Sequence, residues 1–382
     1  MKKKSLNILL CVLTLVLGVL GGAFGFTYIT IPDTDALIVG EETYYSYNTN
    51  DTITTSKLTG EAGELSIHFL ELGNKYTGDC TYIKYGNVDI LIDCGSKASS
   101  VATVSNYLNK FITDGKIEYV IVTHAHIDHY AGFATSGKVK GIFDLYECEN
   151  IIDFGTATNQ QTTSRTYNNY ITKRQKEIDK GANHFDASTV RQGNNKVYTI
   201  DKNFKFEILY NYYYNNKAKT ENDYSVCTLF THNNKNFLFT GDLEKDGEDR
   251  LVDNNTLPEV NLFKAGHHGS KTSSNEKLLS TIKPKIVCVC CCAGSSEYTS
   301  TNVNQFPTQA FIDRVSLYTI YVYVTTLCID YDNNEFTSMN GNITVISRLN
   351  EEDVSMDFSN NSTPLKDTEW FKSNRTTPEN WR

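Results

Sequence analysis

Hydrophobic positions in the first half of the chain fall into short runs separated by polar turns, a pattern typical of β-strands. Gly86-Asn87 lies between two such runs and predicts a hairpin turn. Apolar residues at helical spacing over residues 101–111 predict a helix. The run over residues 117–122 is apolar almost throughout, as in a strand buried on both faces. The predicted strands here cover residues 65–70, 80–85, 88–92 and 117–122.

The second half continues the strand series and inserts helices at irregular intervals. Because strands and helices alternate without a strict strand–helix–strand rhythm, the pattern predicts a mixed α/β (α+β) fold with helices outside the sheets. From residue 351 the chain turns polar and is predicted to be peripheral. The predicted helices cover residues 166–181, 275–282 and 308–315, and the strands 196–200, 204–210, 225–231, 236–240, 258–263, 286–292, 320–325 and 342–346.

The N-terminus carries a targeting signal. Lys2, Lys3 and Lys4 precede an uncharged apolar run over residues 6–26, which is about the ~20 residues needed to cross a bilayer. It is either an uncleaved anchor or a cleaved signal peptide, and both place the rest of the chain outside the cytoplasmic membrane. The predicted division is residues 1–31 signal or anchor, 32–64 linker, 65–350 main folded domain and 351–382 C-terminal tail.

Composition narrows the choice of partners. The 382 residues carry a net charge of −9, which argues against a tight, non-specific grip on a phosphate backbone. A phosphorylated substrate remains compatible, because bound cations can invert the local field. Four of the ten cysteines lie in the apolar run 286–292, where we interpret them as core residues rather than zinc ligands. Disulfides stay open in an exported protein.

A histidine-rich loop follows the buried run 117–122 directly. Its metal-binding side chains suit zinc, manganese or iron. Since the whole chain has only eight histidines, three within six positions do not look like chance. The loop contains His124, His126, Asp128 and His129.

Two further strand ends present the same kinds of side chain. Residues 236–240 run into Gly241-Asp242, and residues 258–263 run into a glycine-flanked loop with His267 and His268. Adjacent side chains are expected to diverge, so one histidine of this pair is predicted to bind metal. The other would face the substrate or lie behind the ligands. Together the three loops predict a metal site.

The order His-x-His-x-Asp-His, Gly-Asp, Gly-His-His-Gly-Ser resembles the metallo-β-lactamase fold superfamily. It is most similar to the branch containing the extracellular hydrolase domain of the ComEC/Rec2 competence proteins. The resemblance covers residues 65–350 and implies a four-layer αββα sandwich with the site at one edge of the sheets. Further matching segments are His68-Phe-Leu-Glu-Leu-Gly73, Gly78-Asp79, Leu91-Ile-Asp93-Cys-Gly95 and Asn222-Asp-Tyr-Ser225.

The resemblance implies two divalent cations, with Zn²⁺ preferred and Mn²⁺ as the alternative. It implies that Asp93 orients the histidine loop. Asp128 and His268 are the candidate catalytic residues, because groups of these types beside the cations can shuttle a proton. The implied ligands are His124 and His126 for the first cation, Asp128 and His129 for the second, Asp242 as a bridge, and His267 or His268 to complete the second site.

The chain departs from the family pattern at one ligand. Many members carry a further metal-binding histidine between the first motif and the Gly-Asp pair. Here only His184 and His232 lie in that interval, and both are predicted to be surface histidines. The first cation site would then be weak, or completed by water.

These observations predict an exported or membrane-anchored metal-dependent hydrolase. The predicted activity is that of a phosphodiesterase that uses a metal-bound hydroxide. The expected partners are an ester or phosphodiester substrate, DNA or a cell-wall polymer, and the membrane through the N-terminal segment; no protein partner can be inferred. The alternative is a non-catalytic anchored binding protein with a degraded metal site, and lactam hydrolysis ranks below both.

Overall fold

The computed structural model describes residues 37–39, 42–44, 53–135 and 139–382. The chain divides into two compact units, Met1–Asn48 and Thr49–Arg382. In the first unit, strands β1 (Leu37–Val39) and β2 (Glu42–Tyr44) pair antiparallel. The predicted membrane segment, residues 6–26, lies outside the described residues. Within the described ranges, every helix is too short or too polar to span a bilayer.

The second unit contains a nine-stranded sheet in the order β3-β19-β18-β4-β5-β6-β7-β8-β9. From β6 to β9, neighbouring strands run parallel. The strands are β3 (Thr54–Thr55), β4 (Leu65–Phe69), β5 (Thr81–Tyr85), β6 (Val88–Ile92), β7 (Lys116–Val122), β8 (Glu147–Asp153), β9 (Asn183–Asp186), β18 (Ile343–Ser347) and β19 (Ser355–Phe358).

An eight-stranded sheet holds the remaining strands in sequence order, β10 to β17. Its central strands, β13 to β16, run parallel to one another, whereas the pairings on both flanks are antiparallel. The strands are β10 (Lys196–Thr199), β11 (Phe204–Ile208), β12 (Thr228–His232), β13 (Lys235–Phe239), β14 (Leu262–Lys264), β15 (Ile286–Ala293), β16 (Val322–Asp330) and β17 (Glu335–Ser338).

Most helices lie between parallel strands, and some begin at a side-chain cap. Ser164 accepts a hydrogen bond from the Tyr167 amide at the start of α5, and Thr308 caps α8 through the Phe311 amide. The helices are α1 (Ser100–Leu108), α2 (Ile127–Tyr130), α3 (Ile142–Leu145), α4 (Asn159–Thr162), α5 (Arg165–Asp179), α6 (Lys245–Asn254), α7 (Glu276–Ile282), α8 (Gln309–Val315) and α9 (Glu369–Asn374).

One hydrophobic core is shared by the two large sheets. Phe69 of the nine-stranded sheet and Phe239 of the eight-stranded sheet stack with ring centroids 6.1 Å apart, so the two sheets pack against each other. Parallel strands leave their carboxyl ends at a common edge, where ligand sites form in sheets of this kind. The predicted site residues follow β6, β7, β13 and β14 at such ends.

The C-terminal tail is a correction to the sequence prediction. Residues 351–382 were predicted to be peripheral, but β19 pairs with β18 inside the large sheet. Met356, Leu365, Phe371 and Trp381 are buried. Apolar residues are sparse in this segment, so the sequence shows little periodicity although these four side chains are buried. The nine cysteines of the described ranges are free thiols, and those of β15 are buried.

Candidate metal centre

The histidine loop is fixed by Asp93 immediately after β6. The Asp93 carboxylate accepts hydrogen bonds from the Thr123 amide and hydroxyl, both at 2.8 Å. Its Oδ2 also lies 2.8 Å from His129 Nδ1. With Nδ1 held in this way, the His129 Nε2 atom points into the site, the orienting geometry common behind metal-binding histidines.

Five of the residues predicted from the sequence meet in two overlapping groups. His124, His129 and Asp242 form one, and Asp128, His129 and His268 form the other, with their donor atoms within 4.8 Å of one another in each group. His129 Nε2 lies 3.2 Å from Asp242 Oδ2. Four of the five are at most 1 % exposed, and Asp128 is partly exposed.

The two adjacent histidines both approach Asp242. His267 and His268 have φ angles of 45° and 54°, in the left-handed region that non-glycine residues rarely adopt. As a result His267 Nε2 lies 3.9 Å and His268 Nε2 3.3 Å from the same Asp242 Oδ2 atom. His268 belongs to a group of three donors whereas His267 belongs to none among the described residues, so the expected division of the pair into one ligand and one other residue stays a prediction. Such strained conformations concentrate at functional sites.

Two predicted ligands lie at the margin of the groups. His126 is half-buried, with Nδ1 3.0 Å from His124 Nε2. The His267 side chain is 22 % exposed, and its Nδ1 lies 3.1 Å from Thr272 Oγ1. Among the described residues, neither belongs to a group of three donors within 4.8 Å.

Sequence reasoning missed Asp79 and Lys264 as site residues. Asp79 Oδ1 lies 3.1 Å from His268 Nδ1, and its other oxygen forms a salt bridge with Lys264. Lys264 Nζ is also 3.9 Å from Asp242 Oδ1. A lysine ending the buried strand β14 was the available signal, and Gly78-Asp79 had already matched the family pattern without an assigned role.

Close backbone packing holds the centre together. A Cβ on Gly95 would lie 1.5 Å from the Asp128 carbonyl oxygen, so only glycine fits where the loop after β6 crosses α2. On the other sheet, Glu248 of α6 accepts hydrogen bonds from the Ser274 amide at 2.6 Å and the Asn275 amide at 2.8 Å. These contacts anchor the loop that carries the histidine pair.

Electrostatic coupling across the centre is strong. Desolvation alone would raise the pKa of Asp242, but the neighbouring histidines, led by His129, lower it well below its usual range. Desolvation lowers histidine pKa values, yet Asp242 and Asp93 raise the pKa of His129, and Asp242 and Asp79 raise that of His268. For His124, burial and the charge of His129 outweigh the effect of Asp242, so its pKa is lowered.

The donor atoms fit a divalent cation. Asp242 Oδ1 and His268 Nε2 are buried and lack a hydrogen-bond partner among the described residues. Buried polar atoms rarely stay unpaired, and imidazole nitrogen with carboxylate oxygen is the donor set of zinc and manganese sites. The carboxylates of Asp79, Asp93, Asp128 and Asp242 also outnumber Lys264, the lysine that faces Asp79 and Asp242.

The two histidines between the motifs lie outside this centre. His184 hydrogen-bonds Asp153 at 2.7 Å on the exposed end of the nine-stranded sheet. His232, predicted to be a surface histidine, is completely buried with Nδ1 2.7 Å from Ser347 Oγ. That prediction was wrong because His232 ends β12, where tertiary packing covers a turn that looks polar in the sequence.

Comparisons with curated proteins match short segments. Recombination protein 2 of Haemophilus influenzae is 33% identical over 72 residues, 19% of this chain and 9% of that protein. ComE operon protein 3 of Bacillus subtilis is 34% identical over 68 residues, 17% of this chain and 8% of that protein. The chain thus spans less than a tenth of these relatives, and the matches confirm the resemblance to competence proteins.

Similar solved structures include the metallo-β-lactamase fold protein YhfI from Bacillus subtilis, with 11% identity and a TM-score of 0.38 over 68% of this chain and 96% of that one. A zinc-dependent hydrolase of the metallo-β-lactamase superfamily from Thermotoga maritima, named only provisionally, has 11% identity and a TM-score of 0.30 over 68% of this chain and 100% of that one. A family model described as Anti-Pycsar protein Apyc1 matches residues 72–290. Because this match covers more than half of the 382 residues, the chain belongs to the Anti-Pycsar protein Apyc1 family.

Proposed function

We propose that this protein is a metal-dependent hydrolase that cleaves phosphodiesters. The observation that carries the proposal is the convergence of His129, His268 and Asp242 at the carboxyl ends of parallel strands from two sheets. Their buried Nε2 and carboxylate atoms are aimed at one another, with donors left unpaired among the described residues. Burying an imidazole nitrogen or a carboxylate oxygen without a partner costs free energy, and a bound cation would supply the missing partner.

The residues of the centre have different proposed roles, which follow from their positions. When bound, two divalent cations would supply an activated water at neutral pH and neutralise charge on the phosphoryl oxygens. We infer that Asp242 would help to hold both cations, since His124, His129 and His268 each place a ring nitrogen within 3.9 Å of its Oδ2 atom. Asp128 and His268 lie 3.5 Å apart and are the proposed proton carriers.

Several features support a phosphodiester substrate. The matched relatives include a protein named for recombination, and the motifs resemble the hydrolase domain of competence proteins. DNA and cell-wall phosphodiesters are the two candidates. The net charge of −9 and the buried ligand groups favour a flexible strand, a chain end or a small ester over duplex DNA.

We further propose that helices flank the two sheets as a four-layer αββα sandwich.

The test combines metal content with activity in the purified full chain. We expect about two zinc or manganese ions per chain and hydrolysis of bis-p-nitrophenyl phosphate, because the ligand groups overlap at His129. His129→Ala should lose both. His184→Ala is the matched control and should lose neither, since His184 pairs with Asp153 outside the centre.

Two results would contradict the proposal. Bound metal without hydrolysis of any phosphodiester, carboxylic ester or lactam would favour a non-catalytic binding protein. A wild-type chain that binds no divalent cation at micromolar concentration would rule out the metal centre itself.

The location of the protein is a separate proposal. We infer export or anchoring outside the cytoplasmic membrane from Lys2, Lys3 and Lys4 followed by the apolar run 6–26. Protease added to intact cells should digest the full chain, whereas deletion of residues 2–26 should leave it protected. Protection of the full chain in intact cells would contradict export.

A further inference from the structure

A tyrosine stands at the mouth of the candidate metal centre. Tyr298 lies in the loop that follows β15, and its hydroxyl donates a hydrogen bond to Asp128 Oδ2 at 3.1 Å. The residue is 57% exposed, in contrast to the buried ligand groups behind it. One end of this side chain therefore touches the centre while its ring remains open to an incoming molecule.

A second ring fixes the position of Tyr298. The centroid of the Phe306 ring is 5.6 Å from that of Tyr298. It is also 5.8 Å from His267 and 5.9 Å from His268. The tyrosine is thus packed, through Phe306, against the strained histidine pair, so its hydroxyl is held at the mouth rather than swinging freely in solvent. Pre-positioned donors of this kind need no reorganisation during a reaction.

The hydroxyl remains a hydrogen-bond donor at neutral pH. An ordinary phenol has a pKa of about 10 and therefore keeps its proton at neutral pH. Asp128 itself has a second partner, because His268 Nε2 lies 3.5 Å from the same Oδ2 atom. The phenol can therefore turn from Asp128 to a substrate oxygen without leaving that carboxylate isolated.

We propose that Tyr298 is a catalytic residue whose hydroxyl donates a hydrogen bond to the leaving oxygen of the phosphodiester. The inference rests on the proposed function. An attacking water held against the buried ligand groups would, by in-line displacement, place the leaving oxygen on the opposite, solvent side. Tyr298 lies on that side. Its hydrogen bond would stabilise the negative charge that develops as the phosphorus–oxygen bond breaks.

The test is a leaving-group series with the purified full chain. Methyl aryl phosphate diesters are compared in wild type and Tyr298→Phe, using phenols of graded pKa. A donor to the leaving oxygen matters most when that oxygen is a poor leaving group. We expect kcat to fall about 10- to 100-fold for unsubstituted phenol and about threefold or less for p-nitrophenol. The plot of log kcat against leaving-group pKa should be steeper for the variant.

Two controls separate catalysis from structure. Tyr212→Phe removes a hydroxyl from a ring that packs against Arg250, and its slope should equal that of wild type. Metal content should be unchanged in Tyr298→Phe. Equal slopes for wild type and Tyr298→Phe, whether or not all rates fall together, would overturn the catalytic role and leave the phosphodiesterase assignment standing. A wild type inactive on every diester would overturn both.

Discussion

Completely buried histidines occur in two regions of this protein, and their partners differ. At the metal centre, His129 and His268 face carboxylates. In the core, His68 faces the hydroxyls of Ser66 and Tyr107 at 2.8 and 2.9 Å, and His232 faces a serine hydroxyl. Burial is the same in both regions, so burial alone does not identify a functional histidine.

The charge of the partner separates the two regions. Desolvation lowers the pKa of His68 to about 3 and that of His232 to about 4, which leaves both neutral and structurally satisfied. The carboxylates at the centre reverse this effect and raise the pKa of His129 and His268. A buried cluster of this kind contains charge that a cation would balance, whereas the core histidines require nothing further.

The largest effect should come from removing the shared carboxylate. Asp242→Asn keeps the size of the side chain but removes the charge that His124, His129 and His268 share. We expect loss of bound metal and a fall in phosphodiesterase kcat of about 1000-fold, measured by elemental analysis and initial rates. His232→Gln, at an equally buried histidine, should keep its metal. Equal metal loss in both variants would contradict the distinction between histidines of the centre and histidines of the core.

Lys264→Met tests whether the centre depends on charge balance. The substitution leaves Asp79 without its ammonium partner, although His268 remains beside it. Without added metal, the free energy of unfolding should drop by about 3–5 kcal/mol, the usual cost of breaking a buried ion pair. Saturating zinc should reduce this loss of unfolding free energy, because a bound cation would balance the charge of the Asp79 carboxylate. Urea unfolding with and without zinc measures both, and a deficit unaffected by zinc would contradict the idea.

Much of the candidate centre could be predicted because its side chains follow strands that are mostly apolar in sequence. The runs before His124, Asp242 and His267 contain few polar residues, so the strand ends were visible. The approach of both His267 and His268 to Asp242 could not be predicted, since it depends on left-handed backbone angles. Lys264 was overlooked because a single lysine ending an apolar strand gives no sign of a carboxylate partner 185 residues earlier.

The fold shows the same division between local and long-range information. The hairpin at Gly86-Asn87 was predicted correctly, with Tyr85 paired to Val88. The strands β8 and β9 and the helix α6 were missed, because their residues are mostly polar or partly exposed. Where burial covers only part of an element, hydrophobic periodicity weakens and tertiary packing decides the structure.

Glu248 is intermediate between the two regions, because it is a buried carboxylate that accepts hydrogen bonds from neutral amides rather than from charged groups. Desolvation raises the pKa of Glu248 to about 7, in contrast to the lowered pKa of Asp242. In Glu248→Gln one of the two acceptor oxygens that serve the Ser274 and Asn275 amides is replaced by a donor. The free energy of unfolding should fall by about 1–3 kcal/mol. Glu259→Gln, at a surface ion pair with Lys283, should change it by less than about 0.5 kcal/mol.

The smallest expected effect concerns the pH dependence contributed by His68. The unfolded chain protonates this histidine below its ordinary pKa of 6.5, but the folded protein resists protonation down to about 3. Between these values the unfolded state binds more protons, so stability falls with decreasing pH by about 1.4 kcal/mol per pH unit from this group. His68→Phe keeps the ring contacts with Tyr82 and Phe111 but cannot titrate.

His68→Phe should therefore be less stable than wild type at pH 7.5, where its lost hydrogen bonds dominate. The difference in unfolding free energy between wild type and His68→Phe should narrow by about 2 kcal/mol at pH 5.0, because only wild type loses stability through this residue. Urea unfolding at the two pH values measures the change. A gap that stayed constant would mean that His68 is protonated in the folded core, and the distinction between neutral core histidines and charged centre histidines would then fail at its simplest example.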